Sequence, residues 1–485
     1  MRYNIVSNII GMILRYIGIV LLIPVGFALL YKETNEFLPY ICASFLSIAL
    51  GFLFTLPKSS EKDIDNLKKA EALVSVFFSW VLLTLICAIP YLFYNFSPTN
   101  AIFESASGIS TTGATIINDF SIYPKTMFFY RSMTQWFGGM GIVVLFIAVL
   151  PKFAIAGRQM FSAEAPGPVE EKITPRIRHT ASWLWTMYLG LTIIQIIALK
   201  LCGMDFYNAL CTSLSTVSTG GFSPNPESIL GYHNNKIVAV VLLFIFLSGA
   251  NFILQYKVFI QRKWSELLKS EEFFSYIGLT AIISILVTLF IWGKQDGSFL
   301  NCLLHSAFQT LSLMTSTGFA SADFIKWDAD TKILLFVTMF LGGCAASTAG
   351  GFKIIRWIFL VKYTKREIAK IIHPNAVYPL KLEGKVVNAD VTSQMIAFCV
   401  FYFLIFALGA FAVALIEKSP TLALSGSIAT LSNTGPGVVW TIGPMNNFDT
   451  LTCATKWIFI FNMIVGRLEL IPFLAMLHKD VWTKS

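Results

Sequence analysis

Ten apolar stretches run along this chain, at 9–30, 38–57, 70–95, 126–150, 181–202, 237–261, 274–293, 332–361, 393–416 and 455–477. Each is close to the roughly 20 residues that a helix needs to cross about 30 Å of hydrocarbon. Four further segments, 100–110, 206–217, 302–315 and 420–432, are shorter and amphipathic. They are expected to enter the membrane as short helices without crossing it. Each runs into a turn of similar sequence: Ser110-Thr111-Thr112-Gly113, Val217-Ser218-Thr219-Gly220, Thr315-Ser316-Thr317-Gly318 and Ser432-Asn433-Thr434-Gly435.

One apolar span precedes each short segment and one follows it, so the repeating unit is span, short helix, Thr-Gly turn, span. Two spans per unit return the chain to its starting side, and all four units therefore point the same way. Parallel copies are related by an axis along the membrane normal, which gathers the four turns around one line. The expected fold is an all-α polytopic membrane protein with four span–pore helix–span repeats around a central pore. It is pseudo-fourfold and K⁺-channel-like, with two extra N-terminal spans. The boundaries fall at 1–60 for the N-terminal pair, then 61–155, 156–265, 266–385 and 386–485 for repeats 1 to 4. Turn residues favour loops in any case, so one Ser-Thr-Gly means little. Four in register between spans mean a good deal.

Composition agrees with the pattern. Charged residues make up 13% of the chain, against about 25% in soluble proteins, so no large soluble domain is hidden here. The stretch from Ile9 to Leu30 is too long for the apolar part of a signal peptide and is read as a retained span. The eight cysteines stand singly, without metal-ligand spacing, and read as small buried apolar residues. The positive charge behind the net +9 is concentrated in alternate loops, the opposite ones carrying only scattered single lysines such as Lys32, Lys125, Lys200, Lys294 and Lys418. One basic loop carries Lys58, Lys62, Lys68 and Lys69, and the next Lys152, Arg158, Lys172, Arg176 and Arg178. Lys257, Arg262, Lys263 and Lys269 follow, and then a run from Lys353 through Lys362, Lys365, Arg366, Lys370, Lys381 and Lys385. By the positive-inside rule these loops and both termini are cytoplasmic. The charge is then topological and does not imply nucleic acid, although the 353–385 run is long enough to dock a partner.

Irregular backbone at membrane depth is tolerated where it is buried in protein or lines a water-filled cavity. A turn ending in glycine suits such a lining, because glycine takes positive φ without steric cost and lets successive carbonyls face one axis. Carbonyl oxygens of that kind replace the hydration shell of a cation. The candidate filter is Thr111, Thr112 and Gly113; Ser218, Thr219 and Gly220; Ser316, Thr317 and Gly318; and Asn433, Thr434 and Gly435. None is a carboxylate, which favours a monovalent ion over a divalent one. Glu104 and Asp119 flank the first turn, Glu104 more as a mouth charge or helix partner than as a ligand.

Two features interrupt the apolar pattern below the turns. The span at 332–361 contains Gly342, Gly343, Gly350 and Gly351 among Ala345, Ala346, Ser347 and Thr348. Each glycine costs about 1 kcal/mol against alanine in a helix, so the helix is expected to break there. A broken helix that faces the pore is a candidate gate; the alternative is a small-residue packing face. Arg467 stands inside the last span, where a charge needs water or a partner, and is assigned to the same gate. Glu469 is on another face and suits it poorly. Arg131 is read as structural.

Four segments carry a resemblance to the Trk/Ktr/HKT superfamily of K⁺ transporters, in its bacterial TrkH/TrkG branch. They are Gln135-Trp136-Phe137-Gly138-Gly139-Met140-Gly141, Ser218-Thr219-Gly220-Gly221-Phe222, Ser347-Thr348-Ala349-Gly350-Gly351 and Gly466-Arg467-Leu468-Glu469-Leu470. The resemblance spans essentially the whole chain. It implies K⁺ uptake across the bacterial inner membrane, with K⁺ bound in the filter and the Gly-rich segment serving as an intramembrane loop. It also implies that glycine at all four filter positions favours K⁺. A homodimer with one pore per protomer, and a cytosolic TrkA-type nucleotide-binding ring, are implied as partners. The chain has no phosphate-binding glycine motif of its own and no acid–base or metal-ligand cluster. It is therefore expected to be neither an ATPase nor an enzyme of any other kind. A symporter driven by H⁺ or Na⁺ is the competing reading.

Overall fold

The structure, a computed structural model, describes residues 1–57, 67–141, 177–294 and 298–482. It is almost wholly helical, with one two-stranded antiparallel ribbon pairing Lys381–Leu382 with Lys385–Val386. Lys58, Lys62, Lys152, Arg158, Lys172 and Arg176 lie outside the described residues, as does the part of the stretch at 126–150 from residue 142 onward.

Six helices among the described residues are long and apolar enough to cross a membrane. Two belong to the N-terminal pair, Tyr3–Leu30 (with a break at Leu21 and Leu22) and Thr34–Phe54. The other four open the repeats: Lys69–Phe93, Ile177–Leu201, Glu271–Ile291 and Ala389–Glu417. Their outer faces are apolar and exposed. Ile193, Ile194 and Ile197 in repeat 2, and Leu404, Leu408, Phe411 and Leu415 in repeat 4, are examples. An exposed apolar belt on a helix of that length is a surface for lipid. The N-terminal pair packs on the first span of repeat 1 through one continuous core that includes Ile9, Ile13, Trp80 and Leu83.

The second span is interrupted in every repeat, where the sequence predicted a break only in repeat 3. In repeat 1 the helix Lys125–Gly139 stops at Met140, and Gly141 has φ +75°. In repeat 2 Asn235–Gly249 is followed by Phe252–Phe259, turned by 102° at Ala250 and Asn251. Repeat 3 has Ala329–Thr338, a non-helical stretch, and then Ile354–Ile372. Repeat 4 has Cys453–Arg467, left-handed residues at Glu469 and Leu470, and then Ile471–Leu477. The stretches at 237–261 and 455–477 are thus broken helices rather than single spans, and 332–361 breaks at its glycines as the sequence predicted. The same cue recurs at each break: Gly138-Gly139, Ser248-Gly249, Gly342-Gly343 and Gly466. Only in repeat 3 is it dense enough to stand out from the sequence.

Candidate ion pathway

The four pore helices are Pro98–Ile109, Phe206–Val217, Phe299–Met314 and Pro420–Leu431. Ser97, Asp205, Ser298 and Ser419 cap their N-termini, each side chain accepting from the backbone N–H three residues on. Proline at the first position starts the first and fourth, where its missing N–H costs nothing. At the far ends the chain stops the helix in the same way four times. Thr111, Thr219, Ser316 and Asn433 are left-handed, with φ from +53° to +58°. The next residue, Thr112, Gly220, Thr317 or Thr434, donates its N–H back five residues, to Ser107, Ser215, Ser312 or Ala429. That is the Schellman ending, here without its usual glycine. Branched threonine in this region is strained, and such strain persists where the surroundings dictate it.

Two residues past each left-handed position comes a positive-φ glycine: Gly113, Gly221, Gly318 and Gly435, at +76° to +92°. Repeat 2 therefore uses Gly221 where the sequence reading placed Gly220. Gly220 stands instead at the position of Thr112, Thr317 and Thr434. The letters Thr-Gly occur in both registers; only the helix ending tells them apart. A methyl carbon added at Gly113 would lie 2.3 Å from the Gly220 carbonyl oxygen, and one at Gly221 2.0 Å from that of Thr317. At Gly318 it would meet the Thr434 oxygen at 2.1 Å, and at Gly435 that of Thr112 at 2.4 Å. Each turn abuts the next, 1 to 2 to 3 to 4, and the fourth closes on the first. The ring is complete.

Braces hold the turns from behind. Three of them pair hydroxyls across the helix end: Ser110 with Thr112 at 2.7 Å, Thr315 with Thr317 at 2.9 Å, and Ser432 with Thr434 at 2.7 Å. Repeat 2 lacks that hydroxyl, and Gln135 takes its place. Its Nε2 donates to the Gly220 carbonyl at 2.6 Å, and its Oε1 accepts from the Phe222 N–H at 3.0 Å. A side chain at residue 220 would collide with Gln135 at 2.5 Å.

Glu104 is fully buried and is not a mouth charge. It accepts from the Arg131 Nε at 2.7 Å and from the Ile116 N–H at 3.0 Å, just past the first turn. Arg131 also donates to Thr115 at 3.0 Å and lies 3.9 Å over the Phe222 ring, so the pair joins turns 1 and 2. Asp119 stays exposed, its carboxyl held below the usual range by the Ser121 hydroxyl and N–H. Removing one partner of a buried ion pair strands the other charge, at about 3–5 kcal/mol. Glu104→Ala is therefore expected to lower the melting temperature of the detergent-solubilised protein sharply, with Glu104→Gln milder. An unchanged melt in Glu104→Ala would show the pair to be dispensable.

Below the ring the stretch between Thr338 and Ile354 turns back on itself, with Ala346 left-handed. Thr348 reaches the base of turn 2: its hydroxyl donates to the Val217 carbonyl at 3.0 Å, and its own carbonyl accepts from the Thr219 hydroxyl at 2.9 Å. The Gly350 N–H donates to the Ser316 hydroxyl at 2.6 Å. A methyl carbon at Gly350 would come within 2.8 Å of the Ser432 carbonyl oxygen. Arg467, the last residue of its helix rather than a mid-span residue, donates to the Thr348 carbonyl at 2.8 Å. It donates also to the Gly138 and Gly139 carbonyls at 2.9 and 2.5 Å. These last are carbonyls at the C-terminal end of the repeat 1 helix, the natural place for a cation. The loop is anchored at its entrance by the buried Glu272 carboxylate, which accepts from the Ala345 N–H at 2.6 Å. At its exit, Glu469 pairs with Lys353 at 2.6 Å and with Arg356.

Comparison with known proteins fits this arrangement. The family described as "TrkH: Cation transport protein" matches residues 40–294 and 295–481. The chain belongs to the TrkH family. It is 33% identical to the Trk system potassium uptake protein TrkH of Escherichia coli K12, over 99% of this chain and 100% of that one. It is 34% identical to TrkG of the same strain, over 99% and 98%. The crystal structure of the potassium transporter TrkH from Vibrio parahaemolyticus aligns with a TM-score of 0.87 at 31% identity, covering both chains completely. TrkH-family membership makes the chain a transporter, not an enzyme.

In this TrkH-family chain the expected turn residues of repeats 1, 3 and 4 fall into one ring. In repeat 2 the register is one residue later, so Thr219, Gly220 and Gly221 complete the ring and Ser218 is the cap of the pore helix. Gly342, Gly343, Ala345, Ala346, Ser347, Thr348, Gly350 and Gly351 all fall in the loop beneath it, beside Arg467. Sequence reasoning missed Gly221, Gln135, Glu272 and the Glu104–Arg131 pair. The doubled glycine at 220–221 was a usable signal for the first. Nothing in the spacing joins residue 135 to 220, or 272 to 345.

Proposed function

We propose that this chain is the K⁺-conducting subunit of an uptake system, and that K⁺ passes down its electrochemical gradient through the ring of turns. The observation that carries the reading is ring closure: each positive-φ glycine abuts a carbonyl of the next repeat, and the fourth abuts the first. Carbonyls of Thr111, Thr112 and Gly113 and their counterparts in the other turns, with Gly221 in place in repeat 2, replace the hydration shell. The C-terminal ends of four pore helices converge there and favour a cation. Glu104 is consumed by Arg131, which leaves the path without a carboxylate and suits a monovalent ion. The names of the relatives, potassium uptake proteins, point to K⁺.

The loop from Gly342 to Gly351 is the gate, with Arg467 as its latch and as a fixed positive charge under the ring. The repeats divide at 61–155, 156–265, 266–385 and 386–485 behind the N-terminal pair at 1–60. The positive-inside pattern puts both termini and the basic loops on the cytoplasmic face of the bacterial inner membrane. A TrkA-type nucleotide-binding ring docks on that face, and the subunit works as a homodimer. Lys362 is engaged by Glu271, and Arg366 and Lys370 by Glu367, so Lys365 and Lys381 offer the freer charges of that face to a partner.

Flux in liposomes tests the mechanism. Purified protein is expected to carry K⁺ along an imposed K⁺ gradient at the same rate with or without a pH or Na⁺ gradient. Flux that requires either gradient would make the chain a symporter.

A further inference from the structure

The side chain of the left-handed residue differs in its partner from repeat to repeat. The Thr219 hydroxyl donates to the Thr348 carbonyl at 2.9 Å, and the Ser316 hydroxyl accepts from the Gly350 N–H at 2.6 Å. Both partners belong to the intramembrane loop. Asn433, by contrast, donates to the Thr112 hydroxyl at 3.0 Å and the Met463 carbonyl at 2.8 Å. The Thr111 hydroxyl is buried with no hydrogen-bond partner among the described residues. The left-handed residues of turns 2 and 3 are therefore hydrogen-bonded to the loop. Turn 4 packs against it at Gly350 without such a bond, and the left-handed residue of turn 1 has no bond to it. At turn 2 the grip is reciprocal, because the Thr348 hydroxyl donates back to the Val217 carbonyl at 3.0 Å.

Thr219, Ser316 and Thr348 are all at most 2% exposed. A buried hydroxyl or carbonyl that loses its partner costs more than the bond was worth, because water does not replace it. Each hydroxyl also has a carbonyl of its own turn within reach, Ser218 at 2.7 Å from Thr219 and Thr315 at 2.6 Å from Ser316. When the loop leaves, the two side chains fall back on their own backbone, the Val217 carbonyl loses the Thr348 hydroxyl, and the two turns adjust. We propose that the Thr219 and Ser316 hydroxyls couple the loop to the filter. The position of the loop then sets ion discrimination as well as blocking the path. This rests on the filter and gate assignments above. It gives the two hydroxyls a positioning role beyond lining the path. It also makes discrimination a property above all of the two turns hydrogen-bonded to the loop.

A cycle of four full-length proteins in liposomes tests the coupling: native, Thr219→Val, a loop shortened by 345–349, and both changes together. The readout is the K⁺/Na⁺ flux ratio. With the loop intact, Thr219→Val is expected to shift the ratio about fivefold, the worth of one neutral hydrogen bond. With the loop shortened it is expected to shift nothing. Thr219→Ser, which keeps the hydroxyl, should retain the native ratio. An equal shift in both loop backgrounds would make Thr219 a plain filter residue, and no shift in either would remove it from discrimination; both overturn the coupling. If Thr219→Val is not recovered from membranes, the Ser316→Ala cycle with a loop shortened by 346–350 reads the second bond in the same way. Gly113→Ser reports separately on the filter, because residue 113 does not touch the loop. A ratio lost there, with equal Thr219→Val shifts in both backgrounds, overturns the coupling and leaves the filter standing. A ratio unmoved in Gly113→Ser and in the serine variants at 221, 318 and 435 overturns the filter itself.

Discussion

Serine at Gly113 or at Gly221 is expected to lower the K⁺/Na⁺ flux ratio by about tenfold or more, since a left-handed L-residue alone costs roughly 1–2 kcal/mol. Sterics act in the same direction. The new Cβ would stand 2.3 Å from the Gly220 carbonyl oxygen in the first case, and 2.0 Å from that of Thr317 in the second. Both obstacles are backbone atoms of the neighbouring turn, so no side-chain rotation relieves them. Either the turns spread or the glycine position gives up its φ, and both outcomes reshape the ring. Gly318→Ser and Gly435→Ser meet the same obstacle at 2.1 and 2.4 Å. Gly220→Ala is the control. It meets the Gln135 side chain instead, and its effect runs through the brace of one turn, so the ratio should fall less. Liposome flux ratios that stay unchanged in the serine variants at 113, 221, 318 and 435 would exclude the ring as the filter.

That control exists because the structure moved one residue. The repeats themselves were legible: four short amphipathic segments, each ending in a hydroxyl-rich turn between two spans, needed only counting. Their common direction followed from parity, and the ring from the parallel axis. Register in repeat 2 was not legible, because Ser-Thr-Gly-Gly fits two alignments. The helix ending at Ser218 and the left-handed φ of Thr219 decide between them. The breaks in the second spans were half legible. Ten glycine-tolerant apolar stretches look like ten spans until the backbone is asked where its freed carbonyls go. At Gly138 and Gly139 they go to Arg467, more than 300 residues away. Long-range pairs of that kind leave no trace in spacing. Glu104 with Arg131, Gln135 with Gly220, and Glu272 with Ala345 are of the same sort. A buried charge or amide could be flagged from the sequence, but its partner could not.

Arg467→Ala is expected to raise resting K⁺ flux, by as much as on the order of a hundredfold, because it removes two obstacles together. One is electrostatic: two like charges 5 Å apart at an effective dielectric of about 20 repel by roughly 3 kcal/mol. The other is mechanical. The guanidinium joins the Thr348 carbonyl of the loop to the Gly138 and Gly139 carbonyls of repeat 1, and the tie is cut with the side chain. Arg467→Lys separates the two effects, since lysine keeps the charge but lacks the planar fork that spans three carbonyls. If charge dominates, lysine should behave like the native protein; if the tie dominates, it should leak like alanine. Shortening the loop by 345–349 deletes Thr348 itself and is expected to raise flux further. The two changes combined should give less than the product of their separate effects, because each dismantles the same barrier. Full multiplication would instead place Arg467 and the loop in separate barriers. Normal resting flux in both single variants would put the gate elsewhere along the path. Loss of the Arg467→Ala protein from the membrane, with Arg467→Lys retained at normal flux, would reduce the residue to a cap on the repeat 1 helix. The bonds to Gly138 and Gly139 already make that role part of its work.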